Sequence, residues 1–333
     1  MTIRPFILPN DLDLMNSLVM EGFQYPENPD WSVRADEKEG MVDRIQGAKR
    51  MWPLLRALQL FSPALRDVIQ GFIDEEDDKP AALVNYSKPP NSADQWFIAN
   101  VTVLPAYRRR GIARKLVEAT IAKLRVRGAR YAILEVVEGN TPAFKLYQEL
   151  GFETYAGSIE YSCPADMTLA FPALPDGWSL TALPNSEWRA RYELALRTTP
   201  ENAQKYEPIR ESRFQMSLLV RIFGKLFDAM GGTKGERFIL RAPSGEVAGI
   251  ALTFFRTRPG GVNHADFAFD SKFSEIAKPF TQHILAHIQQ VSPGRRIEVS
   301  LDNWQAALAR ALEALGCTKR LATHRMGMEF SND

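Results

Sequence analysis

The sequence predicts an α/β protein of two tandem domains, each a mixed twisted sheet flanked by helices. Three observations carry that expectation. The chain has 333 residues, more than one hydrophobic core usually organises and comfortable for two domains. Short segments recur in the same order at domain-sized offsets: Leu8-Pro9-Asn10 returns as Leu183-Pro184-Asn185, Pro26-Glu27-Asn28 as Pro200-Glu201-Asn202, and Leu150-Gly151 as Leu315-Gly316. The two halves also share one order of elements, which makes duplication the better reading of three short matches. The first domain is expected at 1–163, a join rich in Pro and Ala at 164–177, and the second domain at 178–333.

Each half opens with a short strand and a helix. A long amphipathic helical region comes after them, near 40–60 and again near 211–230. A hairpin is next, Asp67–Ile73 with Ala81–Tyr86 and then Arg237–Arg241 with Val247–Phe255; Glu75-Glu76-Asp77-Asp78 and Pro243-Ser244-Gly245 supply its turns. Trp96 to Val103 reads as a mostly apolar strand. The helix after it places Ile112, Leu116, Val117, Ile121 and Leu124 on one face, with Gly128 as its C-terminal stop. Tyr131 to Val137 is the next strand. Thr141 is expected as the N-cap of the following helix, with Pro142 at its first position. Ala143, Leu146, Tyr147 and Leu150 form one face of that helix, and Gly151 stops it.

Composition narrows the function. The chain is 45% hydrophobic and 24% charged with a formal net charge of +1, so it lacks the global field that draws nucleic acid or an anionic membrane. No apolar run reaches the length of a bilayer span, and the N-terminus lacks the order of a signal peptide. Cys163 and Cys317 belong to no CxxC pair, which argues against a zinc framework and reads as two reduced thiols in a cytoplasmic protein.

The chemistry concentrates between Val101 and Phe152. The loop Arg108-Arg109-Arg110-Gly111-Ile112-Ala113 joins a strand to a helix. The first N–H groups of a helix lack internal partners and sit at the positive end of its dipole, so they suit a pyrophosphate. Gly111 lets the backbone come close, and arginines add charged donors. A solvated basic helix start is the competing reading. There is no GxxxxGK[ST] and no GxGxxG after a strand.

The run Val103-Leu104-Pro105-Ala106-Tyr107-Arg108-Arg109-Arg110-Gly111-Ile112-Ala113 resembles the acetyl-CoA signature of the GNAT N-acetyltransferases, with Arg108, Gly111 and Ala113 in its fixed positions. Asn140 to Phe152 resembles the family's later signature, N-x-x-A-x-x-L-Y-x-x-x-G-F, and the two stand in the family's order. The resemblance covers residues 1 to about 163. Together with the internal duplication it implies two tandem GNAT-like domains. It also implies that acetyl-CoA is a co-substrate and no metal takes part. Backbone N–H groups of Arg109, Arg110, Gly111, Ile112, Ala113 and Arg114 would hold the pyrophosphate. Val101, Thr102 and Val103 would bond the pantetheine arm like an added strand, one of their N–H groups serving as oxyanion donor. Tyr147 would protonate the leaving thiolate; its other reading is a core tyrosine.

Glu135 lies in an apolar strand, where desolvation would raise a carboxylate pKa toward that of a useful base. Leu134-Glu135-Val136 also resembles the ribosomal-protein alanine N-acetyltransferases, in which the matching Glu is the base. Two alternatives stand beside it: a strand carboxylate paired with Arg or Lys, and an ordered water as base. Asn140 either bonds the cofactor arm or caps the helix.

The expected activity is transfer of an acetyl group to a small-molecule or peptide amine by direct attack in a ternary complex. A non-catalytic CoA-binding module and transfer of a bulkier acyl group are the alternatives. The apolar stretch from Met51 to Phe61 would suit an acceptor pocket or ordinary packing. No nucleic-acid or membrane partner is expected, and the sequence sets no oligomeric state.

The second half reads as a degenerate copy. Asp270-Ser271-Lys272-Phe273-Ser274-Glu275 stands where the Arg/Gly loop belongs, and Leu312 stands at the position of Tyr147. Glu298 keeps the spacing of Glu135 to the following Asn. His283 and His287 lack the Glu of HExxH and read as a helix face.

Overall fold

A computed structural model describes residues 2–61, 69–88, 94–215, 224, 228–229 and 231–330. By contact the chain forms two units. One is Met1–Ala156 with Lys205–Glu207 and Thr323–Asp333; the other is Gly157–Gln204 with Pro208–Ala322.

The first unit runs β1 (Thr2–Pro5), α1 (Leu12–Gly22), α2 (Ala35–Phe61), β2 (Gln70–Glu76), β3 (Lys79–Ser87), β4 (Gln95–Val103), α3 (Ile112–Val126), β5 (Tyr131–Val137), α4 (Thr141–Glu149) and the start of β6 (Glu153–Cys163). β1 to β4 are antiparallel neighbours in order, and β4 lies parallel to β5. Thr323–Glu329, from the far end of the chain, pairs antiparallel with Val137–Tyr131 and becomes the sixth strand of this unit. Alternation along the strands separates two cores. Ala82, Val84 and Tyr86 face Leu116, Val117 and Leu124 of α3, whereas Ile73 and Leu83 face Leu12, Leu18 and Val19 of α1. Each fully buried aliphatic side chain contributes roughly 1.5–3 kcal/mol.

The second unit takes the 157–163 part of β6, then β7 (Ser179–Ala182), α5 (Trp188–Thr198), most of α6 (Glu201–Tyr206), α7 (Glu211–Phe214), β8 (Thr233–Arg241), β9 (Val247–Arg256), β10 (Asn263–Phe269), α8 (Ala277–Val291), β11 (Ile297–Asp302), α9 (Ala306–Ala314) and the start of β12 (Thr318–Glu329). β7 to β10 are antiparallel, β10 is parallel to β11, and Ser158–Cys163 pairs antiparallel with Asp302–Ile297.

Several expectations change. The join at 164–177 lies inside the second unit, where Met167, Leu169 and Leu174 pack on its core. Pairing, not chain order, decides which strand closes each sheet. Cys163 and Cys317 are not reduced thiols but a disulfide, with Cα atoms 4.2 Å apart; no local spacing announces it, because the fold alone brings the end of β6 beside the residue before β12. The hairpin's turn contracts to Asp77-Asp78, at φ 51° and 58°, while Glu75 and Glu76 extend the strand. Asp67 and Val68 of the expected first strand, and most of the helical region expected near 211–230, lie outside the described residues. Of the apolar stretch in α2, Met51 is buried and Leu54 is exposed. Among the described residues no helix is long and apolar enough to cross a membrane.

Candidate active site

β4 and β5 start as partners and then separate. Gln95–Ile98 pairs with Tyr131–Leu134, and the described register ends there. On its other side β4 slips by one residue against β3 between Leu83 and Asn85. Asn100 absorbs the extra residue at φ 52°, with its Nδ2 donating to Asn85 Oδ1 at 3.0 Å. Such a bulge bends the strand and re-aims the residues beyond it. Val101, Thr102 and Val103 therefore run on with the edge toward β5 outside its ladder. Thr102 is buried, and its Oγ1 has no hydrogen-bond partner.

The loop after β4 makes a short 3₁₀ turn, Pro105–Tyr107, and then takes two left-handed residues, Arg109 at φ 64° and Gly111 at φ 78°. A non-glycine residue in that region carries strain, which concentrates at functional loops. α3 starts at Ile112 with no side-chain cap; its first internal donor is Lys115, whose N–H reaches Gly111 O at 3.2 Å. The N–H groups of Ile112, Ala113 and Arg114 thus precede the helix's own ladder. A Cβ built on Gly111 meets nothing within 4 Å, so its requirement is conformational and the ground above it is open. An anion fits this terminus.

The arginine side chains are mostly committed elsewhere. Arg108 donates from Nε to Val103 O at 3.1 Å and from Nη2 to Gly22 O at 2.7 Å, and its guanidinium lies over the Tyr25 ring at 5.5 Å. It ties the end of β4 to the end of α1. Arg114 pairs with Glu149 of α4, and Arg110 donates to Ala106 O while stacking over Tyr107. Arg109 is exposed.

Tyr147 projects from α4 into the core cluster that also holds Ile98 and Leu134, the last paired residues before the strands part. Its ring meets Phe152 edge to face at 6.1 Å. No described residue hydrogen-bonds its hydroxyl, and burial, with a smaller push from Tyr25, holds its pKa well above that of a free phenol. Tyr25 and Trp31 were not singled out from the sequence. They sit in the segment between α1 and α2, 5.6 Å apart edge to face, and Trp31 leaves only 3.2 Å to a Cβ on Gly139. Two aromatics near a shared Asn or Pro are the sole local signal for them, and it is a weak one.

Glu135 is not desolvated. Its side chain is 43% exposed and faces Arg325, with Nε to Oε1 at 3.0 Å. Arg325 also reaches Glu207 at 3.5 Å, and Glu207 accepts the Tyr155 hydroxyl at 2.7 Å. The carboxylate ends a chain of four side chains, which matches the ion-paired alternative. Asn140, not Thr141, caps α4: its Oδ1 accepts from Ala143 N at 3.3 Å. Asn is the stronger capping type, and Pro142 falls at the second helical position.

The second unit lacks this arrangement. β10 pairs with β9 in unbroken register, without a bulge; its parallel pairing with β11 ends at Asp266, as that of β4 with β5 ends at Ile98. Asp270 occupies the loop position, its carboxylate capping Lys272 N at 3.1 Å and pairing with Arg197 at 2.7 Å. Leu312 is fully buried. Glu298 is buried between Arg296 and Arg320. His287 bonds Glu236 at 2.8 Å and His283 lies against Phe171; among the described residues no group of side chains could hold a metal.

Residues 42–152 match the model of the acetyltransferase (GNAT) family. The first unit carries a GNAT acetyltransferase domain. The chain is 42% identical across 59 residues to a ribosomal protein bS18-alanine N-acetyltransferase of Haemophilus ducreyi, which is 18% of this chain and 41% of that protein. It is 35% identical across 65 residues to N-alpha-acetyltransferase 30 of Schizosaccharomyces pombe, 20% of this chain and 43% of that one. The chain thus spans less than half the length of these relatives. The fold of the whole chain is similar to a tandem GNAT protein from the clavulanic acid biosynthesis pathway, with a TM-score of 0.68 at 17% identity, covering 100% of this chain and 99% of that one. A GCN5-related N-acetyltransferase from Sphaerobacter thermophilus gives 0.64 at 15% identity, covering 98% and 95%. The tandem α/β GNAT architecture expected from the internal repeat is the one observed.

Proposed function

We propose that the GNAT domain transfers an acetyl group from acetyl-CoA to an acceptor amine by direct attack in a ternary complex. The observation that carries this reading is the parting of β4 from β5 after Ile98, with the bulge at Asn100, on a strand whose following loop leads to an uncapped helix start. The co-substrate supplies an activated thioester; the rest falls to this chain's residues. The N–H groups of Ile112, Ala113 and Arg114, with the loop from Arg109 to Gly111, hold the pyrophosphate. Val101 to Val103 bond the pantetheine arm along the freed edge and turn one N–H to the thioester oxygen as negative charge develops there. Tyr147, whose hydroxyl is protonated and uncommitted, donates its proton to the departing thiolate. Glu135, at the point where β5 leaves β4, accepts the proton of the attacking amine directly or through one water. Asn140 keeps α4, and with it Tyr147, in position.

The relatives named for alanine and N-alpha acetylation support a panel that begins with alanine-starting peptides and extends to small amines. Incubating the intact chain with acetyl-CoA and that panel, and reading free thiol, tests the proposal. Amine-dependent thiol release supports it. Tight acetyl-CoA binding with no release across the whole panel overturns catalysis in favour of a binding module.

A further inference from the structure

Glu135 stands at the end of a side-chain network that the two signatures do not contain. Its other charged members, Arg325 and Glu207, come from beyond residue 200, yet by contact both belong to the first unit. Arg325 lies on β12 directly opposite Glu135 in the ladder with β5, so the strand register itself fixes the pair. Glu207 follows α6, and the segment that carries it is bonded at successive residues. Lys205 Nζ donates to Glu153 Oε1 at 3.0 Å, the Tyr206 hydroxyl donates to the same oxygen, and Glu207 Oε1 accepts the Tyr155 hydroxyl at 2.7 Å. The Tyr206 ring lies against Gly327, on the same strand as Arg325.

The network runs from a buried anchor to an open end. Tyr155 is 5% exposed, the side chains of Glu207 and Arg325 are 14% and 18% exposed, and that of Glu135 reaches 43%. Burial and then Glu207 hold the Tyr155 phenol well above its ordinary pKa, so it is a standing donor to Glu207. Arg325 sits between two carboxylates, with Nη1 3.5 Å from Glu207 and Nε 3.0 Å from Glu135. A guanidinium is a rigid fork of donors, and holding it by one carboxylate orients what it presents to the other. An exposed glutamate otherwise samples several rotamers, of which only a fraction aim it at an incoming amine.

The network also lies on the side of the sheet that an acceptor needs. The ladder of β5 with β4 ends at Leu134, and Glu135 is the next residue. Successive strand residues face opposite sides of a sheet. Leu134 faces the cluster that holds Tyr147, so Glu135 lies on the other face. The proposed proton donor and proton acceptor thus stand on opposite sides of the parted strands.

We propose that Arg325 and Glu207 are positioning residues for the transferase, which hold the Glu135 carboxylate bonded on one side and open on the other toward the acceptor amine. This assignment rests on the acetyl-transfer reading. It adds that the later half of the chain, whose own loop carries Asp270, completes the base of the first.

Steady-state thiol release by the intact chain, from acetyl-CoA and an alanine-starting peptide or the fastest amine of the same panel, tests the proposal. Arg325→Lys keeps the charge and loses the fork; Glu207→Gln keeps an acceptor for Tyr155 and loses the charge. Each is expected to lower kcat about tenfold, below the roughly 100-fold that a misplaced group can cost, with the KM and affinity for acetyl-CoA unchanged. In a Glu135→Gln background neither is expected to lower kcat further, because both act through that carboxylate; a merely structural role keeps its loss in both backgrounds. If Glu207→Gln does not fold, Tyr155→Phe takes its place, with a smaller loss expected. Unchanged kcat in the folded variants, a loss that persists beside Glu135→Gln, or full turnover by Glu135→Gln itself overturns this assignment and leaves acetyl transfer standing. No amine-dependent thiol release by the wild type overturns the transfer reading and this assignment together.

Discussion

Tyr147 combines a buried ring with a hydroxyl that no described neighbour accepts, and burial raises its pKa above that of a free phenol. As the proposed general acid Tyr147 acts only in the chemical step, so its loss should slow turnover and leave binding alone. Tyr147→Phe is expected to lower turnover about 100-fold, within the usual range for a general acid, with acetyl-CoA affinity unchanged; kcat and a separate binding measurement check this. Arg108 behaves differently from what its place in the signature suggests. Its guanidinium holds Val103 O and Gly22 O. Arg108→Ala is expected to cost about 1.5–3 kcal/mol of stability, the range for hydrogen bonds to a charged group, read by denaturant unfolding. The motif residues were legible because they are near neighbours in the chain. The roles of their side chains were not, since Arg108 bonds a carbonyl 86 positions away and Glu135 meets an arginine 190 positions away.

The elements around the gap depend on two close approaches. The end of α1 comes so near β4 that a Cβ on Gly22 would sit 2.0 Å from Thr102 Oγ1. On the strand beside β5, Gly327 lies under the Tyr206 ring, and a Cβ there would sit 2.4 Å from it. That contact seats Lys205–Glu207 on the sheet of the first unit, where Tyr206 also meets Tyr131 and Tyr155 at 5.6 and 4.8 Å. Gly327→Ala is expected to displace the ring and lower stability by about 1–3 kcal/mol, as overpacking does, seen as a lower melting temperature of the intact chain. Helices and strands themselves were readable from their periods, and Gly128 and Gly151 end their helices as expected, at φ 66° and 94°. The bulge at Asn100 was not readable. Asparagine tolerates a left-handed backbone, but only the pairing of β3 with both halves of β4 demands one there.

At the scale of the chain, duplication was visible in the sequence and the exchange of closing strands was not. Sequence order assigns β6 to the first copy, whereas the ladders give 158–163 to β11 and 323–329 to β5. A strand that finishes a sheet is chosen by edge complementarity between distant segments, which no local pattern records. Removing residues 323–333 should therefore leave the β5 edge bare, and the truncated chain is expected to lose acetyl-CoA binding and to aggregate. Retained binding by a monomeric truncated chain, measured by calorimetry and sedimentation, would contradict that assignment.

The two units differ where it matters for a diphosphate: one has a bulged strand and an uncapped glycine turn, the other an unbroken strand and Asp270. Calorimetric titration of the intact chain with acetyl-CoA, run on wild type and on Gly111→Glu, probes this difference without relying on any acceptor. One site per chain is expected in the wild type and none in the variant. Two sites per chain, no uptake by the wild type, or undiminished affinity in Gly111→Glu would refute the assignment of the coenzyme to the Gly111 loop.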